Sequence, residues 1–167
     1  MRKIGIKTFA PYESGEVKKA HCVMGNFDIS AFELPHNGCW NNGFYIKCDG
    51  QKMLYMTDYE YCPYNFQKLK INHMLIECNY IKDMVDVNLP NYEHKIRGHA
   101  ELETVKKFVE LNNTDDLQNV ILCHLGGETT DKDRIINEIQ KIACRANVSV
   151  AEPNKEWELK DNNECPF

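Results

Sequence analysis

Met53-Leu54-Tyr55-Met56-Thr57-Asp58 is an apolar run that ends on a carboxylate. Two other stretches share its grammar: Phe32-Glu33-Leu34-Pro35-His36 and Val120-Ile121-Leu122-Cys123-His124 each end on an imidazole. A hydrophobic strand buries its body and leaves its end at the rim of a sheet, so three such ends can meet in one cleft. One Asp and two His brought together there can hold a divalent metal, since carboxylate oxygen and imidazole nitrogen are ligands for zinc and manganese alike. Three ligands are nevertheless fewer than a hydrolytic two-metal centre uses.

Working outward, the sequence divides into hairpins and then into alternating strands and helices. Gly5 to Phe9 reads as a short strand stopped by Pro11, and residues 13–19 as one or two helical turns. Phe27 to Leu34 alternates apolar and polar, the pattern of a half-buried strand. Gly43 to Lys47 and Lys52 to Met56 flank Cys48-Asp49-Gly50-Gln51, and Asp-Gly between two such runs marks a hairpin. His73 to Cys78 and Asn119 to Cys123 are buried strands, and Val148 to Ala151 a last short one. Leu102, Val105, Phe108 and Val109 have helical spacing within Glu101 to Leu111. Ile135, Ile136, Ile139 and Ile142 repeat it within Asp131 to Ala143. Residues 79–98 read as loop, with one helical turn near Lys82 to Val85. Strands followed by strand–helix alternation imply a layered α/β domain. It spans residues 1–154, with a polar tail from 155 to 167.

Composition narrows the class. The 167 residues suffice for one domain with a real core, and 43% hydrophobic content argues against disorder. A net charge of -5 speaks against a general nucleic-acid binder, which carries a basic face. The 8 cysteines form no C-x-x-C pair, so a zinc ribbon is unsupported. Cys78 and Cys123 lie in apolar runs and read as small core hydrophobes. Reduced thiols without a leader sequence point to the cytoplasm, and no apolar run approaches the roughly 18 residues of a membrane span.

Six segments taken in order resemble the metallo-β-lactamase fold superfamily of metallo-hydrolases, in its phosphodiesterase and nuclease-like branch. They are Phe32 to His36, Gly43 to Ile46, Met53 to Asp58, Leu75-Ile76-Glu77-Cys78-Asn79-Tyr80, Arg97-Gly98-His99-Ala100-Glu101-Leu102-Glu103 and Val120 to Leu125. The resemblance implies an αβ/βα sandwich with two metal ions between its sheets. It implies that His36, Asp58 and His124 are metal ligands, with Asp58 bridging and so also catalytic, and that His99 is a catalytic residue near the leaving group. The expected cofactor is Zn2+, with Mn2+ as the other candidate, and the expected substrate a small-molecule or nucleotide phosphodiester. The H-x-H-x-D-H motif of that family does not occur. Met1 to Lys7 looks like the end of the helix that follows it, so the fold is expected to be N-terminally truncated. Asn37 stands where the family often has Asp, and Gly126 where it often has Ser.

Two functions follow as expectations. One is a metal-dependent hydrolase, phosphodiesterase-like, whose incomplete metal site leaves the isolated chain weak or inactive until an upstream complementing segment is supplied. The other is a non-catalytic binding or interaction protein that kept the scaffold. Loss of a third of a layered fold also implies self-association through exposed sheet edge. Glu77 and Asn79 read as outer support for the site or as ordinary loop residues. His21, His73 and His94 have no partner that the sequence names.

Overall fold

A computed structural model describes residues 9–13, 16–17, 20–88 and 90–159, without the side chains of 12, 13, 16, 17 and Trp40. Its centre is a seven-stranded mixed sheet in the order β3-β4-β5-β6-β7-β8-β9. The strands are β3 (His21–Met24), β4 (Phe27–His36), β5 (Cys39–Cys48), β6 (Gln51–Met56), β7 (His73–Glu77), β8 (Asn119–Cys123) and β9 (Asn147–Val150). Neighbours from β3 to β6 are antiparallel, and those from β6 to β9 are parallel. The helices are α1 (Tyr92–Gly98) and α2 (Leu102–Asn112), between β7 and β8, and α3 (Lys132–Ile142), between β8 and β9.

Local chemistry accounts for most of these elements. The β5–β6 turn has Asp49 and Gly50 at φ 48° and 81°, the doubly positive pair that matches a two-residue hairpin to strand twist. The β4–β5 turn uses Asn37 and Gly38 at φ 45° and 75° in the same way. That second turn carries the strand to His36, beyond the Leu34 end expected from alternation. Helix α2 is capped by Glu101, whose side chain accepts from the Glu103 N–H, and α3 by Asp131, which accepts from Arg134. The hydrophobic core joins Leu54, Met56, Met74, Ile76, Val120 and Leu122 of the sheet to Val105 and Val109 of α2 and Ile135 and Ile139 of α3.

Several expectations fail near the N-terminus and in the loop. Residues 13–19 hold no helical turn among those described. Tyr12–Glu13 (β1) and Glu16–Val17 (β2) pair instead as a short antiparallel ribbon. Met1 to Thr8, with most of the expected first strand, lie outside the described residues, and Phe9 packs edge-on against Phe44 rather than in a strand. Strand β3 and helix α1 were not expected. Helix α1 is short and mostly polar, so no apolar stripe announces it. Among the described residues no helix is long and apolar enough to cross a membrane.

Ile139 is fully buried between α3 and the sheet, whereas Leu111 is 60% exposed. Ile139→Ala is expected to lower unfolding stability by about 2–5 kcal/mol, and Leu111→Ala to change it by less than about 0.5 kcal/mol. Urea unfolding curves of the two variants check this.

Candidate metal centre

The parallel half of the sheet explains where the site lies. Strands β6, β7 and β8 run the same way, so their carboxyl ends share one rim, where α/β sheets open the crevice that holds ligands. Asp58 lies just beyond β6, Glu77 ends β7, and His124 follows β8. Strand β4 is antiparallel to β5, which is antiparallel to β6. Two reversals bring His36, the last residue of β4, to that same rim.

Glu77 is the centre of the arrangement. It is fully buried. Its Oε1 accepts from His99 Nδ1 at 2.8 Å, and its Oε2 from His124 Nδ1 at 2.9 Å. The backbone N–H groups of Asp58 and Ala100 also donate to this carboxylate. Asp58 Oδ1 stands 3.3 Å from His124 Nδ1 and 3.9 Å from His99 Nδ1. Asp58, Glu77, His99 and His124 therefore each present a ligand atom within 4.8 Å of the others.

Backbone conformation at the strand ends is unusual. Asp58 and His124 have φ of 54° and 52°. The left-handed region costs an L-residue about 1–2 kcal/mol, and such strain persists where surrounding contacts over-determine it. Here the Asn41 side chain donates to the carbonyls of Thr57 and Asp58. The Asn79 side chain donates to the His124 carbonyl at 2.8 Å. Buried Asn79 also accepts at its backbone oxygen from the Gly126 N–H. A Cβ at Gly126 would come within 2.5 Å of that oxygen, so the loop after His124 admits only glycine there.

His36 lies beside the four-residue group. Its Nδ1 donates to the Gly98 carbonyl at 2.5 Å, and its ring meets that of His99 edge-to-face at 5.4 Å. Gly98 allows this approach, since a Cβ there would sit 3.1 Å from the His36 ring. Lys95 Nζ donates to Asn79 Oδ1 and Thr129 Oγ1. Burial pushes its pKa below the usual lysine value, against the attraction of Glu77. Burial likewise pushes the Cys78 and Cys123 thiols up to about 12, helped at Cys123 by Glu77 and Asp58, so neither is a nucleophile. A cleft of about 410 Å³ opens beside His99, walled by Tyr61, Tyr80, Tyr92, Glu60 and Glu101. Tyr59 is in the core, with its hydroxyl donating to the Glu77 carbonyl.

The structure thus brings Asp58, His99 and His124 into one group and sets His36 against His99. Sequence reasoning left Glu77 as outer support for the site or as an ordinary loop residue. The available signal was its position at the end of a buried strand, where an ionisable side chain must find donors. His94 had no such signal, because it lies on a helix that was read as loop.

The donor set fits a divalent metal. Two imidazoles and two carboxylates offer the mixed nitrogen and oxygen shell that zinc and manganese accept. No protein-family model matches the sequence, and no curated protein sequence matches it significantly. Solved structures do match. The chain superposes on the metallo-β-lactamase fold protein YhfI from Bacillus subtilis with a TM-score of 0.61 and 15% identity, over 87% of this chain and 56% of that one. It superposes with a TM-score of 0.52 and 14% identity on a metallo-β-lactamase superfamily protein from Thermotoga maritima, over 80% of this chain and 69% of that one. The chain has the metallo-β-lactamase fold, and it spans little more than half the length of YhfI.

Glu77→Gln keeps the volume but replaces an acceptor of four N–H groups by an amide. It is expected to weaken zinc binding roughly 10- to 100-fold, the usual effect of losing an orienting carboxylate, as read by competition with a chromophoric chelator. Gly126→Ala is expected to lower both melting temperature and zinc affinity, because the His124 loop must move away from Asn79.

Proposed function

We propose that the chain is a metal-dependent hydrolase acting on phosphodiester-like substrates. One observation carries the reading: Asp58, Glu77, His99 and His124 converge within 4.8 Å at the carboxyl rim of a metallo-β-lactamase-type sheet. An ion held there would polarise a phosphoryl oxygen and acidify a water molecule. Asp58 and His124 would hold it, with Glu77 fixing the imidazole orientations. The aromatic cleft beside His99 is large enough for a small substrate, and this supports a catalytic role for His99, with Asp58 Oδ1 3.9 Å from its Nδ1 as the second catalytic side chain. Zinc is the proposed metal, with manganese also suited to the carboxylates.

The chain matches 56% of YhfI and has no H-x-H-x-D-H string. We therefore propose that full activity calls for a segment with that motif, on a longer or a separate chain, and we propose self-association as a second outcome. The seven cysteines among the described residues are all free thiols, which supports a reducing, cytoplasmic setting.

Hydrolysis of bis(p-nitrophenyl) phosphate with added Zn2+ or Mn2+ tests the reading. Slow turnover is expected, lost on chelation, lowered more than roughly 100-fold by Asp58→Ala, and raised when a segment with the H-x-H-x-D-H motif is added. Turnover that survives both chelator and Asp58→Ala overturns the mechanism. A reconstituted protein that binds metal but hydrolyses no phosphodiester or ester favours the interaction-protein alternative.

A further inference from the structure

The cleft beside His99 carries charge that its own walls do not neutralise. Its volume of about 410 Å³ falls within the roughly 300–1,000 Å³ of sites that hold small molecules. Three tyrosines wall it: Tyr61 from the loop after β6, Tyr80 from the segment after β7 and Tyr92 from the first turn of α1. Among the described residues none of these rings packs against another aromatic ring, so no aromatic partner occupies their faces.

Glu60 and Glu101 stand on the same walls. Neither forms an ion pair with a described residue, and the Glu101 side chain accepts only from the Glu103 N–H, as the cap of α2. Lys82, also on the wall, is exposed and pairs with neither carboxylate. Two carboxylates against one ammonium leave the cleft net negative. Its most deeply buried tyrosine is Tyr80, only 6% exposed. The Tyr80 hydroxyl has no hydrogen-bond partner among the described residues. Burial pushes it up to about 12, and Glu101, Tyr92 and Glu60 add to the rise. The phenol therefore stays protonated at neutral pH, a buried donor without an acceptor. A polar group in that state points to a ligand that completes it. The two carboxylates act on this buried hydroxyl, so their charge reaches the depth of the cleft as well as its lip.

We infer that this cleft binds an organic ammonium group, and that the substrate is a phosphodiester bearing one, such as a choline ester. A tyrosine face attracts a cation within about 6 Å of its centroid, and more strongly where water is excluded. Unpaired carboxylates add a Coulomb attraction that a neutral group of the same shape does not feel. The Tyr80 hydroxyl is left to donate to an oxygen of the same substrate. His99 shares the wall, so the ammonium would sit beside a side chain proposed for catalysis. Hydrolysis adds water across one P–O bond: the hydroxyl goes to phosphorus and the proton to the leaving alcohol. The diester half of the inference rests on the proposed hydrolase, whereas the ammonium half stands on the cleft alone, so each can fail separately.

The test is a calorimetric titration of the full chain with choline and with 3,3-dimethylbutanol, its neutral isostere, with circular dichroism to confirm folding of each variant. Choline is expected to bind at least roughly 10-fold more tightly, and to do so with chelator present, which separates this site from the metal centre. Glu60→Gln and Glu101→Gln keep the side-chain volume, and the amide oxygen of the second still caps α2. Together they are expected to abolish the preference for choline. With Zn2+ added, p-nitrophenyl phosphocholine is expected to exceed p-nitrophenyl 3,3-dimethylbutyl phosphate at least roughly 10-fold in kcat/KM, a ratio that falls toward one in the double variant. Sedimentation with phosphatidylcholine vesicles assigns the ammonium to a lipid headgroup, and binding of glycerophosphocholine alone assigns it to a soluble diester. Equal affinity for choline and its isostere, no choline binding, or a preference that survives the double variant overturns the inference and leaves the hydrolase reading standing. Choline binding without hydrolysis of either diester overturns the diester half and the hydrolase together, and leaves the ammonium site in place.

Discussion

The buried carboxylate of Glu77 is the interaction on which the rest of the site depends. A carboxylate without water is costly unless donors surround it. Here two imidazole N–H groups and two backbone N–H groups supply that compensation. The donors come from three stretches of chain: the loop after β6, the adjacent residues His99 and Ala100 between α1 and α2, and the loop after β8. Satisfying one buried charge therefore fixes these three segments relative to one another and to the end of β7. It also sets the proton of His99 and His124 on Nδ1, which leaves Nε2 of each imidazole available. Orientation and tautomer follow from one electrostatic requirement.

That requirement is met because the sheet delivers its strand ends to one rim. Parallel pairing of β6, β7 and β8 places their carboxyl ends side by side, and the two tight hairpins bring β4 to the same side. The strain at Asp58 and His124 is local, since each left-handed residue ends a run of regular strand. Asn41 and Asn79 bind the carbonyls at these corners. Those amides hold in place a backbone that the sequence would not adopt unaided. Gly98 and Gly126 act through absence of a side chain: one admits the His36 ring and the other admits the Asn79 carbonyl.

Much of this was legible in the residues. The core strands were, because apolar runs such as Met74-Leu75-Ile76 and Val120-Ile121-Leu122 cannot lie at a surface. Helices α2 and α3 were, because their apolar residues recur at helical spacing. The β5–β6 turn was, through Asp49-Gly50. The equivalent Asn37-Gly38 signal was present too, yet Pro35 within the run obscured it, since proline usually ends a strand or confines it to an edge. Helix α1 left no trace, because a seven-residue polar helix has no stripe to read. With α1 hidden, His94 had no neighbours to suggest a role.

The sequence by itself determined which residues are buried and which metal-capable side chains end the strands, because burial and periodicity are local properties of hydrophobic spacing. It thereby pointed to Asp58, His124, His36 and His99 as the residues to examine. Only the tertiary structure decided which of them meet. Glu77 became the hub, and His94 a neighbour of His36, through contacts between residues 58 or more apart in the chain, as between His36 and His94, or 47 apart, as between Glu77 and His124. Such contacts depend on sheet order, helix placement and the balance of a buried charge against its donors, and none of these is written in the spacing of neighbouring residues.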